Sequence, residues 1–170
     1  MLCDWEIKNL CIEMGVVEPF IEENLQPSSL DLTLGNEFII NVGLPNEEKI
    51  ISNSYTMLPF EFVLGTTVER FNLPRYVTST VCGKSSVARE GLQVECAGHV
   101  DPGFRDGNIT FEMLNISEHE ITVREGDIIA QAVFTMHKPC HRDYREKGGH
   151  YDGQKGVTPS WRPEELGYWK

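Results

Sequence analysis

VCGKSSVAREGLQVECAGHVDPGFRDGNITFEMLNIS, running from Val81 to Ser117, is the stretch on which the fold turns. It begins with a short helix signal bounded by Gly83 and Gly91, passes through a tight Asp101-Pro102-Gly103 turn, and ends in an alternating segment from Asn108 to Asn115. In that segment Ile109, Phe111 and Met113 fall on one face and Thr110, Glu112 and Leu114 on the other, the period of a half-buried strand.

The same signal recurs on both sides. Upstream, Leu30, Leu32 and Leu34 alternate with Asp31 and Thr33 before Gly35, and Glu37 to Val42 reads as a further strand. The polar Gly43 to Ser54 segment reads as its loop and as the best candidate for local mobility. Short strands follow at Phe60 to Leu64, Thr66 to Glu69, Tyr76 to Val81, Leu92 to Cys96, Asn108 to Asn115, Glu120 to Val123 and Ile128 to Met136. Turn signals separate them at Gly65, Leu73-Pro74, Asp101-Pro102-Gly103 and Glu125-Gly126-Asp127. This spacing predicts an all-β barrel or distorted jelly roll with one or two short helices. The first helix has Asp4 as its expected N-cap, a stripe of Ile7, Leu10, Cys11 and Met14, and Gly15 as its stop.

At 170 residues the chain reads as one domain, long enough to bury a core without staples. The strand signal ends at His137, and residues 137–170 read as a flexible tail or as an arm that orders on something else. Apolar runs are too short for a membrane span or a secretion signal, so a soluble, cytoplasmic protein with no membrane partner is expected. Five scattered cysteines, never spaced CxxC, read as free thiols of a reducing compartment. The net charge of −11 argues against a nucleic-acid surface, which needs many cations to cancel phosphate. A small anion would require a local pocket of donors helped by a divalent cation.

Four groups could carry chemistry. Lys84, Ser85, Ser86 and Arg89 surround the start of a short helix and would present cations, hydroxyls and N–H groups to a phosphate; the alternative is a capped, solvated helix. Glu112, on a face shared with Thr110 and Leu114, is either an ordinary wet-face glutamate or, if partly buried, a proton shuttle with a raised pKa. Asp101 either braces its turn or holds a sugar hydroxyl or a metal-bound water. The tail carries Tyr144, Arg145, Lys147, His150, Tyr151, Gln154, Lys155 and Arg162, either a solvated tail or a lid whose cations and amides close over phosphates. A catalytic zinc is disfavoured: His99 is followed by Val100 and Asp101, and Pro139-Cys140 has no second cysteine at the required spacing.

Taken together, these motifs resemble those of the dCTP deaminases in the trimeric dUTPase superfamily. Gln26 to Leu32 (QPSSLDL) is similar to the family's N-terminal signature, Lys84 to Arg89 (KSSVAR) to its RSSxAR motif, and Asp101 to Glu112 to its IDPGF…ITLE motif. Ile129-Ala130-Gln131 resembles the IGQ strand and Tyr151 to Ser160 (YDGQKGVTPS) the closing YxGQxGxTPS motif. The resemblance implies a dUTPase-like (β-clip) fold, a homotrimer with shared sites, a dCTP or dUTP type of nucleotide, and deamination without zinc, with magnesium carried on the triphosphate. It implies Glu112 as general acid/base, with Ser85 and Arg89 placing the water and steadying the base. It further implies substrate contacts from Lys84, Ser85, Ser86, Val87, Ala88 and Arg89, with Asp101 at the 3′-hydroxyl and Thr110 and Phe111 lining the base pocket. Gln131, Gln154, Tyr144 and His150 would complete the nucleotide site.

Ala97-Gly98-His99-Val100-Asp101, with Gly103-Phe104 after it, resembles the bifunctional members that go on to dUMP more than those that stop at dUTP. Gly98 and His99 are therefore the expected determinants of bifunctionality, with Gly98 leaving room for a second water. The sequence departs from the pattern at Lys84, where an arginine is usual, and at His150, where a lysine is usual. One extra residue falls near Arg105-Asp106-Gly107. The alternatives are a monofunctional deaminase releasing dUTP, a dUTPase of the same fold, and a silent nucleotide-binding module. The dUTPase would usually carry an RGxxGFGSTG-like tail that this chain lacks.

Overall fold

The computed structural model describes residues 1–161. Its elements, in chain order, are α1 (Asp4–Met14), β1 (Val17–Glu18), a 3-10 turn (Glu22–Asn24), β2 (Leu25–Gln26), β3 (Ser29–Ile40), β4 (Glu48–Ile51), β5 (Ser54–Met57), β6 (Phe62–Asn72), β7 (Val77–Gly83), α2 (Ser85–Ala88), β8 (Leu92–Val94), β9 (His99–Val100), β10 (Arg105–Asn115), β11 (Ile121–Arg124) and β12 (Ile128–Met136). The main sheet runs β8-β10-β6-β3-β12-β7-β9, with β1, β2 and β4 on its flanks, and β11 pairs with β5 in a two-stranded ribbon. Every pairing in both sheets is antiparallel. The fold is thus the expected all-β one. No helix among the described residues is long and apolar enough to cross a membrane.

The core follows from alternation. Leu30, Leu32, Leu34 and Phe38 of β3, Phe71 of β6, Phe111 and Met113 of β10, and Ala132 and Phe134 of β12 are all buried. Phe71 and Phe134 stack with ring centroids 6.3 Å apart, and each fully buried side chain of this size contributes about 1.5–3 kcal/mol of burial free energy. In α1, Ile7, Leu10 and Cys11 face this core, but Met14 is exposed, its sulfur receiving the Tyr76 hydroxyl proton.

Three local expectations change, and one departure finds its place. The N-cap of α1 is Cys3, not Asp4: the Glu6 carboxylate accepts the Cys3 N–H at 3.0 Å, and that bond lowers the Glu6 pKa. Gly35 and Gly65 do not end strands but lie inside β3 and β6. A Cβ on Gly65 would meet the Met113 and Leu34 side chains at 2.8 and 3.0 Å, so this glycine marks close packing, a role that sequence alone does not separate from a turn. The Gly43 to Ser54 loop contains β4, whose Ile50 packs on the core opposite Phe38. The extra residue near Arg105 becomes a β-bulge in β10: its register against β6 shifts between Arg105 and Gly107, and Asp106 takes a left-handed φ of 52°.

Residues 137–161 add no helix or strand, yet they lie against the sheet. Asp143 is buried between Arg75 and Arg105. Gln154 brackets Asn108, accepting its N–H at 3.1 Å and donating to its carbonyl at 2.6 Å. Gly156 and Thr158 donate N–H groups to Asn108 Oδ1 and Thr110 Oγ1, both at 3.1 Å, and Val157 is buried. The arm therefore orders on its own chain. Its expected free cations are largely matched: Arg145 pairs with Asp152 and Lys155 with Asp106 at the bulge. Arg162 lies outside the described residues.

Candidate active site

The arm roofs a cavity of about 450 Å³. Its body wall carries Glu95, Gly98, His99, Asp101, Thr110 and Glu112, with Val42, Phe62 and Leu64 as apolar surface, and the arm contributes Tyr144, Tyr151, Gln154 and Thr158. An apolar cleft with a few convergent polar groups is the usual form of a small-molecule site. β10 places Thr110 and Glu112 side by side because both point away from the core face occupied by Ile109, Phe111 and Met113. Glu112 is half-buried, and its Oε2 accepts the Cys96 N–H at 3.1 Å, which fixes the carboxylate at the cavity wall. His99 Nε2 lies 3.3 Å from Asp101 Oδ1, and both side chains are open to solvent.

Of the residues singled out from sequence, Glu112, Asp101, Thr110, Gly98, His99, Tyr144 and Gln154 meet at this cavity. Phe111 does not line it with its side chain. It is fully buried on the opposite face of β10, leaving only its backbone near the cavity. His150 stacks on Trp161 at 3.6 Å instead of lining the cavity.

A second polar group forms elsewhere in the chain. Ser85, Ser86, Val87 and Ala88 form α2, and none of Lys84 to Arg89 lines the cavity. Being a single turn, α2 has little dipole to offer an anion, so any phosphate contact there rests on hydroxyls and cations. Ser85, Ser86 and Arg89 are exposed. Lys84 Nζ pairs with the buried Asp31 at 2.5 Å, Gln26 donates to the same carboxylate oxygen, and Asp31 stands opposite Gln131 in the β3–β12 register. Gln131 itself receives the Ser29 hydroxyl at 3.0 Å. The chain therefore carries two separate polar clusters, a pocket with Glu112 beneath the arm and an open cationic and hydroxyl patch on α2.

Gly98 has a different local reason from the one read in the sequence. A Cβ there would lie 1.9 Å from the Val81 carbonyl oxygen, and that segment also carries a 2.7 Å bond from Val81 N–H to Gly98 O. What the missing side chain makes room for is β7, not a water.

One ionisable cavity residue was not anticipated. Glu95 follows β8 with a left-handed φ of 72°, uncommon for a residue with a side chain. Its N–H donates to the Glu112 carbonyl at 2.9 Å, so the two glutamates are cross-strand neighbours. Burial, then the charge of Glu112, pushes its carboxyl up to about 8. No motif marks it, and only the pairing of β8 with β10 brings it to Glu112.

Comparison with known proteins bears on this geometry. Residues 1–137 match the family model described as dCTP deaminase-like. The "dCTP deaminase, dUMP-forming" of Aquifex aeolicus is 40% identical over 177 residues, covering 94% of this chain and 93% of its own. The protein of the same name from Persephonella marina is 39% identical over 160 residues, covering 85% and 87%. Among solved structures, the 2'-deoxycytidine 5'-triphosphate deaminase from Agrobacterium tumefaciens superposes with a TM-score of 0.67 at 19% identity. That match covers 79% of this chain and about half, 48%, of the other. The EIAV dUTPase follows at 0.52 and 21%; both likenesses concern the fold. With a family model matched along most of its length and relatives near 40% identity over nearly all of it, the chain belongs to the dCTP deaminase-like family.

Proposed function

We propose that this protein deaminates dCTP hydrolytically at C4 of cytosine and carries the product on to dUMP, releasing ammonia and pyrophosphate. The relatives named above carry the dUMP-forming name, which supports the coupled reaction. The observation that carries the reading is the half-buried Glu112 carboxylate, fixed by Cys96 N–H beside Thr110 in a roofed, partly apolar cavity.

Glu112 takes a proton from water as its oxygen bonds to C4 and passes it to N3; it then takes the second proton from the new C4 hydroxyl and delivers it to the exocyclic nitrogen as C4=O forms, the C4–N bond breaks and ammonia leaves. Ser85 and Arg89 place that water and steady the charge on the base. Because they stand outside the cavity of their own chain, a neighbouring copy in a homotrimer is proposed to supply them. Asp101 holds the deoxyribose 3′-hydroxyl. Thr110 and the Phe111 backbone line the base, and Lys84, Ser86, Gln131 and Gln154 serve the phosphates, with Val87 and Ala88 shaping the turn. Tyr144 closes the roof. Gly98 and His99 set the course of the strand that leads to Asp101, which would place the second water for attack on the phosphate chain.

A magnesium ion would be held mainly by phosphate oxygens and water, and when bound it would neutralise phosphate charge. The free cysteines suit a cytoplasmic enzyme.

Incubation with dCTP and magnesium, followed by ammonia assay and nucleotide chromatography, tests the proposal. Ammonia with dUMP is expected. Product stopping at dUTP would overturn the coupling, and no ammonia would overturn the deaminase. Glu112→Gln is expected to abolish ammonia release while dCTP still binds by calorimetry, and full activity in that variant would remove Glu112 from the mechanism.

A further inference from the structure

We infer that Glu95 is the second ionisable group of the pocket, a positioning residue that holds one proton beside Glu112 and thereby keeps Glu112 as the ionised, proton-accepting partner. The inference rests on the deaminase reading above only for its catalytic consequence; the pair itself stands on geometry.

The two residues are tied through the backbone. β8 pairs with β10 so that Val94 faces Met113, and the next step of that register brings Glu95 N–H onto the Glu112 carbonyl at 2.9 Å. The following residue, Cys96, donates its N–H to Glu112 Oε2 at 3.1 Å. Both glutamates line the same cavity. Their hydrogen bonding differs: Glu112 Oε2 accepts the Cys96 N–H, whereas Glu95 Oε1 is buried without a partner among the described residues, and the Glu112 backbone offers Glu95 a lowering contribution smaller than burial and charge.

An ionised carboxylate with an oxygen in that state is costly, and a like charge directly across the strand pair adds to the cost. Protonating Glu95 relieves both, while the Cys96 N–H favours charge on Glu112. A carboxyl that keeps its proton beside a second one leaves the second free to serve as base. The left-handed backbone at Glu95 fits such a site, since strained conformations of this kind gather where geometry is functional.

The other titratable groups around the cavity are Cys96 beside Glu95, His99 and Asp101 on the β9 side, and Tyr144 and Tyr151 on the arm. Of all these, Glu112 is the one whose charge acts on Glu95, after burial, which is the larger cause. The same two causes, with Glu95 itself contributing, raise the Cys96 thiol. Glu95 therefore holds its proton at neutral pH and loses it as pH rises through about 8.

The experiment has two arms on the full chain. Without nucleotide, 13C NMR of glutamate carboxyls is expected to show one resonance titrating near pH 8. That resonance should be absent in Glu95→Gln and displaced toward the ordinary carboxylate range in Glu112→Gln. If the resonance lost in Glu95→Gln titrates in the ordinary range, or if it ignores Glu112→Gln, the pair is overturned.

The second arm follows kcat for dCTP deamination against pH. Wild type is expected to show an inflection near pH 8. Glu95→Ala should lower kcat by about tenfold or more, and Glu95→Gln, which imitates the protonated acid, should recover part of that loss while removing the inflection. An inflection that persists in Glu95→Gln would overturn the catalytic use of the pair. Should wild type leave dCTP untouched, the functional reading above fails while the titration still decides the pair.

Discussion

The division of the chain into a pocket holding Glu112 and an exposed α2 holding Ser85 and Arg89 leads to a mixing experiment. Glu112→Gln and Arg89→Ala each remove one half of the proposed site, and each alone is expected to lose at least about a hundredfold in ammonia release. If the halves come from different copies, a mixed assembly contains some sites in which an intact Glu112 meets an intact Arg89. With equal amounts and random assortment, half of the pockets keep Glu112 and half of the facing α2 turns keep Arg89. Unfractionated, the mixture should then regain about one quarter of wild-type turnover, and trimers selected to hold both variants about one third, since each has one such junction in three. The two variants, differently tagged, would be co-expressed and purified through both tags before assay. Confirmed mixed assemblies with no recovered activity would refute the shared-site reasoning, because the α2 residues would then have to act within their own chain or not at all. The magnitude follows from geometry: Arg89 is exposed, and no residue from Lys84 to Arg89 lines the cavity that holds Glu112.

Two further predictions concern stability. Asn108→Ala removes a side chain that donates to the Thr67 and Glu69 carbonyls and accepts the Gly156 N–H. The cost is roughly 2–4 kcal/mol, read as a melting temperature lower by roughly 4–16 °C for a chain of this size and as faster amide exchange across the Gln154 to Thr158 stretch; unchanged protection there would break the link between Asn108 and the arm. Glu69 is buried, accepts the Thr33 N–H with both oxygens, and has its carboxyl pushed upward chiefly by burial. A raised folded pKa means that its stabilising contribution is full below the unfolded value and is lost as pH rises through the folded one. On melting, wild type should therefore gain on Glu69→Gln as pH falls toward the ordinary glutamate value of about 4.3, and a constant gap would refute the assignment.

Where local chemistry fixed the backbone, the sequence could be read directly. The alternation of β10 gave the right faces for Glu112 and Phe111, so the core position of Phe111 was already implied by the residues even though the motif suggested a pocket role for it. The extra residue before Gly107 was absorbed as a bulge, and Gly15 stopped α1. The misreadings have a common cause. Gly65 lies inside a strand because the side chains of Leu34 and Met113 occupy the place of its Cβ, and β4 forms because β3 offers it an edge. Each depends on a partner far away in sequence, which local propensity does not contain.

Glu95 is the strongest instance of that dependence. In the sequence it is one acid among 26, in a segment whose alternation distinguishes no role for it. It gains a role only when β8 aligns with β10, since that register sets its N–H on the Glu112 carbonyl and the Cys96 N–H on the Glu112 carboxylate. A one-residue slip of β8 would turn every side chain to the other face and would separate the two carboxyls. The buried Val94 and Leu92, which pin β8 against the core, are thus what hold the Glu95–Glu112 pair together. The motif that marks Glu112 and the unmarked strand that carries Glu95 belong to one site because the core fixes their register, so proton chemistry in the pocket is as sensitive to packing under β8 as to the residues that line the cavity.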